Sequence, residues 1–298
     1  MLRGLVLVGV AAVSWGTTGS VTTLLVAHAS GDPLLIGAAR MWVAAIGLVI
    51  GAGLLGAARG PLTPALGPSI AMGACTAAYQ AAYFSAVTMT GIAITALIAI
   101  CSAPVIIAVL ATLALGERLT LRIGLALALG VGGTALLIAA PATAPPPRFL
   151  LGAALALAAG AAYALYAVIA KSTVGGGSPP LMMTAMTFTV AAVLTLPVLF
   201  ITRAPLTQLA RGWPWLLYLG AVATAAAYAL YTIGLRHVPA SIAGVVTLLE
   251  PLTATLLGVF LFGERLGPTG GLGALLLVVA IALLLPRREI GTVGASPA

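Results

Sequence analysis

Gly116-Glu117-Arg118-Leu119 and Gly263-Glu264-Arg265-Leu266 stand 147 residues apart in this chain. The same offset carries Pro33 to Pro180, Ala93 and Ala96 to Ala240 and Ala243, Pro104 to Pro251, and Gly124-Leu125 to Gly271-Leu272. In each copy the proline precedes the glutamate by 13 residues. Alanine and glycine coincidences are cheap in a sequence so rich in both. A proline and a Gly-Glu-Arg-Leu held in register are not, because the whole chain has only five acidic residues. The sequence therefore reads as two copies of one unit.

That unit belongs in a bilayer. Of 298 residues, 62% are hydrophobic and 6% charged, with a mean hydropathy of +1.21, whereas a soluble domain carries about 25% charge. A soluble enzyme, a disordered chain and a secreted disulfide scaffold are excluded, and 36 Gly with 19 Pro exclude a simple coiled coil. Ten apolar runs lie at about 4–26, 34–56, 66–86, 91–113, 121–140, 149–171, 180–202, 213–235, 240–262 and 268–286. Each approaches the roughly 20 residues that cross the hydrocarbon. Backbone polar groups in lipid have to be satisfied within the segment, so the runs are helices. The expected fold is an all-α integral membrane protein of ten transmembrane helices in two five-helix repeats. Five is odd, so the second copy enters from the opposite side and the repeats are inverted. The first repeat is placed at 1–140, a connector at 141–148, the second repeat at 149–288, and a disordered tail at 289–298. Arg3 followed by an apolar stretch mimics a signal peptide, but Ser14-Trp15-Gly16-Thr17-Thr18 at its middle marks a retained helix.

The net charge of +8 comes from Lys and Arg scattered singly near the ends of the runs. These are topology anchors, not a nucleic-acid surface. With ten crossings, Arg3, Arg59, Arg118, Arg122, Lys171, Arg236, Arg287 and Arg288 share the side of the termini, against Arg148, Arg203, Arg211 and Arg265. Both termini are therefore expected in the cytoplasm of a bacterial-type inner membrane. Arg40 lies inside a run and is left out of that balance. Cys75 and Cys101 read as small packing residues. Lys171 is the sole lysine and no Gly-Lys pair occurs, so there is no phosphate-binding loop and no direct use of ATP. His28 and His237 are isolated and Asp32 is the sole aspartate. No metal, no cofactor and no enzyme activity are expected.

Glu250 is the one carboxylate near the centre of a run. An ionisable group there costs about 2.5–3.5 kcal/mol on insertion scales, so it faces protein or water. It contacts a substrate amine, couples protons, or braces the backbone beside Pro251, whose ring cannot bond the carbonyl of Thr247. Pro104 and Pro251 each remove one helical hydrogen bond, giving either a pair of hinges or two static kinks. Trp213, Trp215 and Tyr218 open a run and read as interface anchors. Trp15, Tyr79, Tyr83, Tyr163, Tyr166, Tyr228 and Tyr231 lie deeper, and their polar tips need partners that lipid cannot give. Ordinary helix packing accounts for any one of them. Together they fit an aromatic chamber suited to flat apolar solutes or cations. Gln80 is the best candidate for a neutral polar group in it, ahead of Ser14, Thr17 and Thr18. Gly130, Gly132 and Gly133, with Gly270, Gly271 and Gly273, allow the fifth and tenth helices to pack closely.

Two five-helix halves, each with a proline in its fourth helix and Gly-Glu-Arg-Leu at that helix's end, resemble the EamA-domain family of the drug/metabolite transporter superfamily. Glu250-Pro251 is similar to that family's second half. The resemblance covers essentially residues 1–286 and is specific for fold rather than substrate. It implies a secondary active or facilitative exporter working by alternating access. Its central cavity would lie between the first, third, fourth, sixth, eighth and ninth helices. The implied substrate is an amino acid, aromatic or otherwise neutral, or a related metabolite. The partners are then that small molecule, membrane lipids and, as a candidate, protons, in a monomer or weak dimer. The alternatives are a broad exporter of aromatic or cationic drugs, a non-transporting assembly partner, and a membrane-embedded lipid-modifying enzyme. The last would use Glu250 as general acid/base without a second carboxylate or histidine at depth.

Overall fold

Each apolar run forms a helix in the computed structural model, which describes residues 1–29, 32–56, 63–138, 148–201, 207–263 and 265–285. The helices are α1 (Leu2–Ala29), α2 (Pro33–Leu54), α3 (Thr63–Thr90), α4 (Ile92–Leu115), α5 (Leu121–Ile138), α6 (Phe149–Gly175), α7 (Pro180–Thr195), α8 (Trp213–Leu235), α9 (Ala240–Phe262) and α10 (Pro268–Leu284). All but α3 and α10 are long and apolar enough to cross a membrane, α7 together with its continuation to Phe200. The 28 residues of α3 are diluted by Ser69, Thr76, Tyr79, Gln80 and Tyr83, and α10 is apolar but has 17 residues. The expected connector, apart from Arg148, and the expected tail lie outside the described residues.

Local chemistry sets the helix ends. Asp32 Oδ1 accepts the Leu34 N–H at 2.8 Å, with Pro33 in the first turn of α2. The glycines that open the two Gly-Glu-Arg-Leu copies do one job. Gly116 and Gly263 close α4 and α9 in the left-handed region at φ 66° and 69°, where other residues are strained.

The halves pack through matching surfaces. Helix α3 lies on α6 as α8 lies on α1; α4 lies on α6 as α9 lies on α1; α3 meets α7 as α8 meets α2. Three further pairs, α2 with α7, α4 with α9 and α5 with α10, join a helix to its own counterpart. In α5 and α10, Arg122 donates to the Leu283 and Leu285 carbonyls, Gly130 faces Ala280, and Gly133 faces Gly273. Ascending one helix descends the other, so they are antiparallel. A Cβ on Gly133 would lie 2.7 Å from the Gly273 carbonyl oxygen, so the two backbones touch. Gly132 and Gly271 face open space instead.

Register inside the repeat is legible from two close approaches. Gly73 of α3 packs on Val190 and the Thr187 carbonyl, and Gly220 of α8 on Val43 and the Arg40 carbonyl. Every member of that pair is shifted by 147. Farther along, Gly152 meets Ala86, Met89 and Thr90, while Gly4 meets Gly234, His237 and Val238, a shift of 148. Helix α8 thus fits one residue more into the same span, and there Tyr218–Ala226 is a π-helix, with Thr224 Oγ1 donating to the Leu219 carbonyl at 2.7 Å. The wider turn absorbs the insertion.

Candidate functional site

The first and third helices of each half, α1, α3, α6 and α8, carry the deep aromatics to one place. Trp15 lies 6.1 Å edge-on from Tyr163, 4.8 Å from Tyr228 and 5.3 Å from Tyr231, centroid to centroid. Tyr79 stacks on Tyr83 at 5.6 Å and reaches Tyr163 at 6.5 Å, and Tyr166 meets Tyr163 at 6.4 Å and Tyr228 at 5.5 Å. All seven rings proposed from sequence form one connected cluster. Trp15 with Tyr163 and Tyr83 with Tyr231 are related by the same shift of 148, so the cluster is built around the repeat's own symmetry. Phe188 joins it 4.8 Å from Tyr228, and Phe84 lies 5.9 Å from Tyr83. Neither phenylalanine has a polar tip, so nothing in the sequence set it apart from ordinary core.

Tyr166 and Tyr231 are buried, whereas Tyr79, Tyr163, Tyr228 and Glu250 keep accessible surface although protein surrounds them. The Trp15 indole N–H is buried without a partner among the described residues. An unmet buried donor costs about 1–3 kcal/mol. The Tyr163 and Tyr231 hydroxyls are likewise buried without a partner among the described residues, and their ring centroids lie 6.4 Å apart.

Glu250 follows a break in α9. The helix runs Ala240–Val246, turns at Thr247 and Leu248, and resumes at Leu249. The Thr247 carbonyl that Pro251 cannot bond accepts the Glu250 backbone N–H at 2.9 Å. Among the described residues the Glu250 carboxylate makes no hydrogen bond, so it is not spent on bracing the proline. Its backbone carbonyl sits against α1, where a Cβ on Gly16 would approach it to 2.6 Å. By contrast, α4 continues as helix through Pro104, whose Cα packs against Gly244 of α9.

Sequence reasoning passed over Arg40. It lies within α2, and its Nη2 donates to Gln80 Oε1 at 3.4 Å. Gln80 Nε2 in turn donates to the Gly37 carbonyl at 3.4 Å, which fixes the amide across the α2–α3 contact. The signal was present: an arginine well inside an apolar run costs as much as a glutamate there and marks a functional position.

Glu117 also acts across the fold. Its carboxylate leaves its own helix pair and caps α9, accepting the Ala240 N–H at 2.6 Å, the Ser241 N–H at 3.0 Å and the Ser241 hydroxyl at 2.6 Å. Beside it, Lys171 Nζ donates to the Leu235 and Val238 carbonyls at 2.7 and 2.8 Å, closing the end of α8. At the interface Trp215 stacks on His28 at 4.8 Å, and the Tyr218 and Thr17 hydroxyls are 3.0 Å apart. A groove of about 410 Å³ between α1, α9 and α10, lined by residues such as Val6, Val10 and Val246, is apolar and separate from the aromatic cluster. No group of three metal-ligating side chains occurs among the described residues.

Comparison with known proteins places this architecture. An uncharacterized transporter of Bacillus subtilis, YwfM, is 35% identical over 283 residues, covering 94% of this chain and 93% of that protein. The aromatic amino acid exporter YddG of Ancylobacter novellus is 32% identical over 129 residues, 43% of this chain and 44% of that protein. A crystal structure of a protein 20% identical in sequence superposes with a TM-score of 0.80, covering 94% of this chain and 95% of the other, so that fold is shared. The EamA-like transporter family matches residues 2–139 and again 150–285. The duplicated helical unit, packed half against half in a multi-pass membrane protein, is the repeat of that match: this chain belongs to the EamA-like transporter family.

Proposed function

We propose that this protein exports aromatic and other neutral amino acids, or closely related metabolites, by alternating access through the aromatic cluster. The observation that carries the reading is the connected set of seven rings drawn from the first and third helices of both halves, with Glu250 of α9 packed on α1 at Gly16, next to Trp15. Ring faces suit flat apolar side chains, and a carboxylate among them suits an ammonium group or a transferred proton. The name borne by the relative YddG points the same way.

The transport cycle rests on ten crossings in two inverted sets of five, with α3 and α10 as the two beyond the eight most apolar spans. Equivalent helices in inverted repeats run in opposite directions, as α5 and α10 do. Packing is unequal at the two ends: the α8–α9 junction is drawn against α4, α5 and α6 by close contacts and by Glu117 and Lys171. That end is the closed one; the excess of positive residues on its side supports the reading that it faces the cytoplasm, with both termini. Helix α9, broken ahead of Pro251, and the proline of α4 supply the bending that exchanges the two states.

A broad exporter of aromatic cations is the second reading, favoured by the same carboxylate among tyrosines. Counterflow in proteoliposomes separates them, using labelled phenylalanine, threonine and a lipophilic cation with and without a pH gradient. Phenylalanine exchange driven by the gradient, with the drive lost in Glu250→Gln, is expected. Movement of the cation alone selects the second reading, and no protein-dependent flux of any solute overturns both.

A further inference from the structure

We infer that Arg40 binds the carboxylate of the transported molecule, so that the substrate is held as a zwitterion between Arg40 of the first half and Glu250 of the second. The inference rests on the exporter reading and deepens it, by naming the group that every substrate has to carry.

Arg40 is built into the site rather than anchored at a surface. It stands within α2, well inside a membrane-spanning helix, where a permanent positive charge is retained only against compensation. The guanidinium has five donors in a planar fork, a shape that matches a carboxylate at two points. One donor reaches Gln80 Oε1 at 3.4 Å, and Nε is buried with no partner among the described residues. Gln80 spends its own amide on Gly37, so it orients the fork without neutralising it.

The placement of Glu250 supplies the second half of the argument. Arg40 meets α3 at Gln80, which follows Tyr79 in sequence, and Glu250 meets α1 at Gly16, which follows Trp15; the two charges form no ion pair among the described residues. Two opposite charges in a poorly solvated interior would close into contact if each were only the other's counter-ion. Held apart, they offer a positive and a negative anchor to one ligand. An α-amino acid carries its carboxylate and ammonium on one carbon, and its side chain then falls among the rings of the cluster, Tyr79 and Tyr83 of α3 and Tyr228 of α8. Repeat symmetry separates these charges from the frame: the position matching Arg40 is Thr187 and the one matching Glu250 is Ala103.

The test is competition in proteoliposomes holding the full chain, with labelled phenylalanine as the transported species. The unlabelled competitors are phenylalanine, phenylalaninamide, phenethylamine and 3-phenylpropionate. The wild type should prefer phenylalanine over phenylalaninamide and phenethylamine, which lack the carboxylate, by about tenfold or more. Arg40→Gln should remove that preference while leaving phenylalaninamide binding in place, and Arg40→Lys should restore part of it. Gln80→Leu, which keeps the charge and frees the fork, should weaken the preference severalfold. Equal competition by phenylalanine and its amide in the wild type overturns the inference and leaves the exporter reading standing, even if Arg40→Gln fails to fold. An unchanged preference in a folded Arg40→Gln variant does the same and makes Arg40 a counter-ion only. No phenylalanine movement by the wild type overturns both.

Discussion

The two halves share a scaffold and differ in charge. Gly73 and Gly220, Gly4 and Gly152, Trp15 and Tyr163, and Tyr83 and Tyr231 occupy equivalent places and make equivalent approaches. Arg40 faces Thr187 across that symmetry, and Ala103 faces Glu250. What is shared is close packing and ring surface, which the two halves need in common if each is to adopt the other's shape. What is not shared is ionic. Duplicating Glu250 at position 103 would set like charges across a small, poorly solvated space, and duplicating Arg40 at position 187 would do so again. Each half thus supplies one charge that the other lacks, Arg40 in the first and Glu250 in the second.

The sharpest way to break the comparison is a one-residue deletion placed in each half in turn. Removing Ala221 from the π-segment of α8 should let that stretch relax into α-helix. The flanking contacts, Gly220 on Val43 and Gly234 on Val8, would keep their places because the wide turn already accommodates one residue too many. Removing Ala78 from α3, which is α-helical throughout, rotates everything beyond it by about 100°. Tyr79, Gln80 and Tyr83 would leave the cluster. Monodisperse protein that retains most of its transport is expected from the first deletion, and loss of both from the second. If the two deletions behave alike, the π-segment is not the inserted residue.

How much of this was written in the sequence follows the same division. The repeat was legible because Pro104 and Pro251, with the two Gly-Glu-Arg-Leu copies, are rare symbols in an apolar chain. The aromatic cluster was legible because a tyrosine or tryptophan tip at depth has nowhere to go in lipid. The extra residue in α8 was not, because Ala, Leu and Val fill both helices and a slip of one among them leaves no mark. The roles of Arg40 and Glu117 were hidden for another reason. Their partners, Gln80 in one case and Ala240 and Ser241 in the other, are brought to them only by tertiary packing. Spacing can show that an arginine is expensive, but not what it faces.

A smaller effect is expected where α5 crosses α10. Gly273→Ala puts a Cβ 2.5 Å from the Gly133 carbonyl oxygen, against backbone that cannot step aside. A loss of about 1–3 kcal/mol is expected, the usual cost of overpacking. Gly271→Ala, two residues away and facing open space, should be neutral or slightly stabilising. Thermal unfolding in detergent, followed by fluorescence-detected size exclusion, gives both values. Equal losses would show that the crossing is not the tight point.

The smallest effects distinguish the two equivalent junctions, α3–α4 and α8–α9. The first is tied by its own residues: the Thr90 and Thr95 hydroxyls lie 2.9 Å apart and Thr90 donates to the Ala86 carbonyl at 3.1 Å. The second is tied by the opposite half through Glu117 on the start of α9, and within its own half by Lys171 on the end of α8. Thr95→Val removes one neutral hydrogen bond and should cost about 0.5–1.5 kcal/mol. Glu117→Ala strips a cap from two backbone N–H groups and should cost about 1–2 kcal/mol, with Glu117→Gln between them. The readout beyond stability is access. A cysteine at position 241 should react faster with a membrane-impermeant maleimide in the Glu117→Ala background, because that cap binds one half to the other. The same cysteine should be indifferent to Thr95→Val, which loosens a contact within a single half. Equal labelling in both backgrounds would mean that Glu117 only terminates a helix and does not hold the closed end.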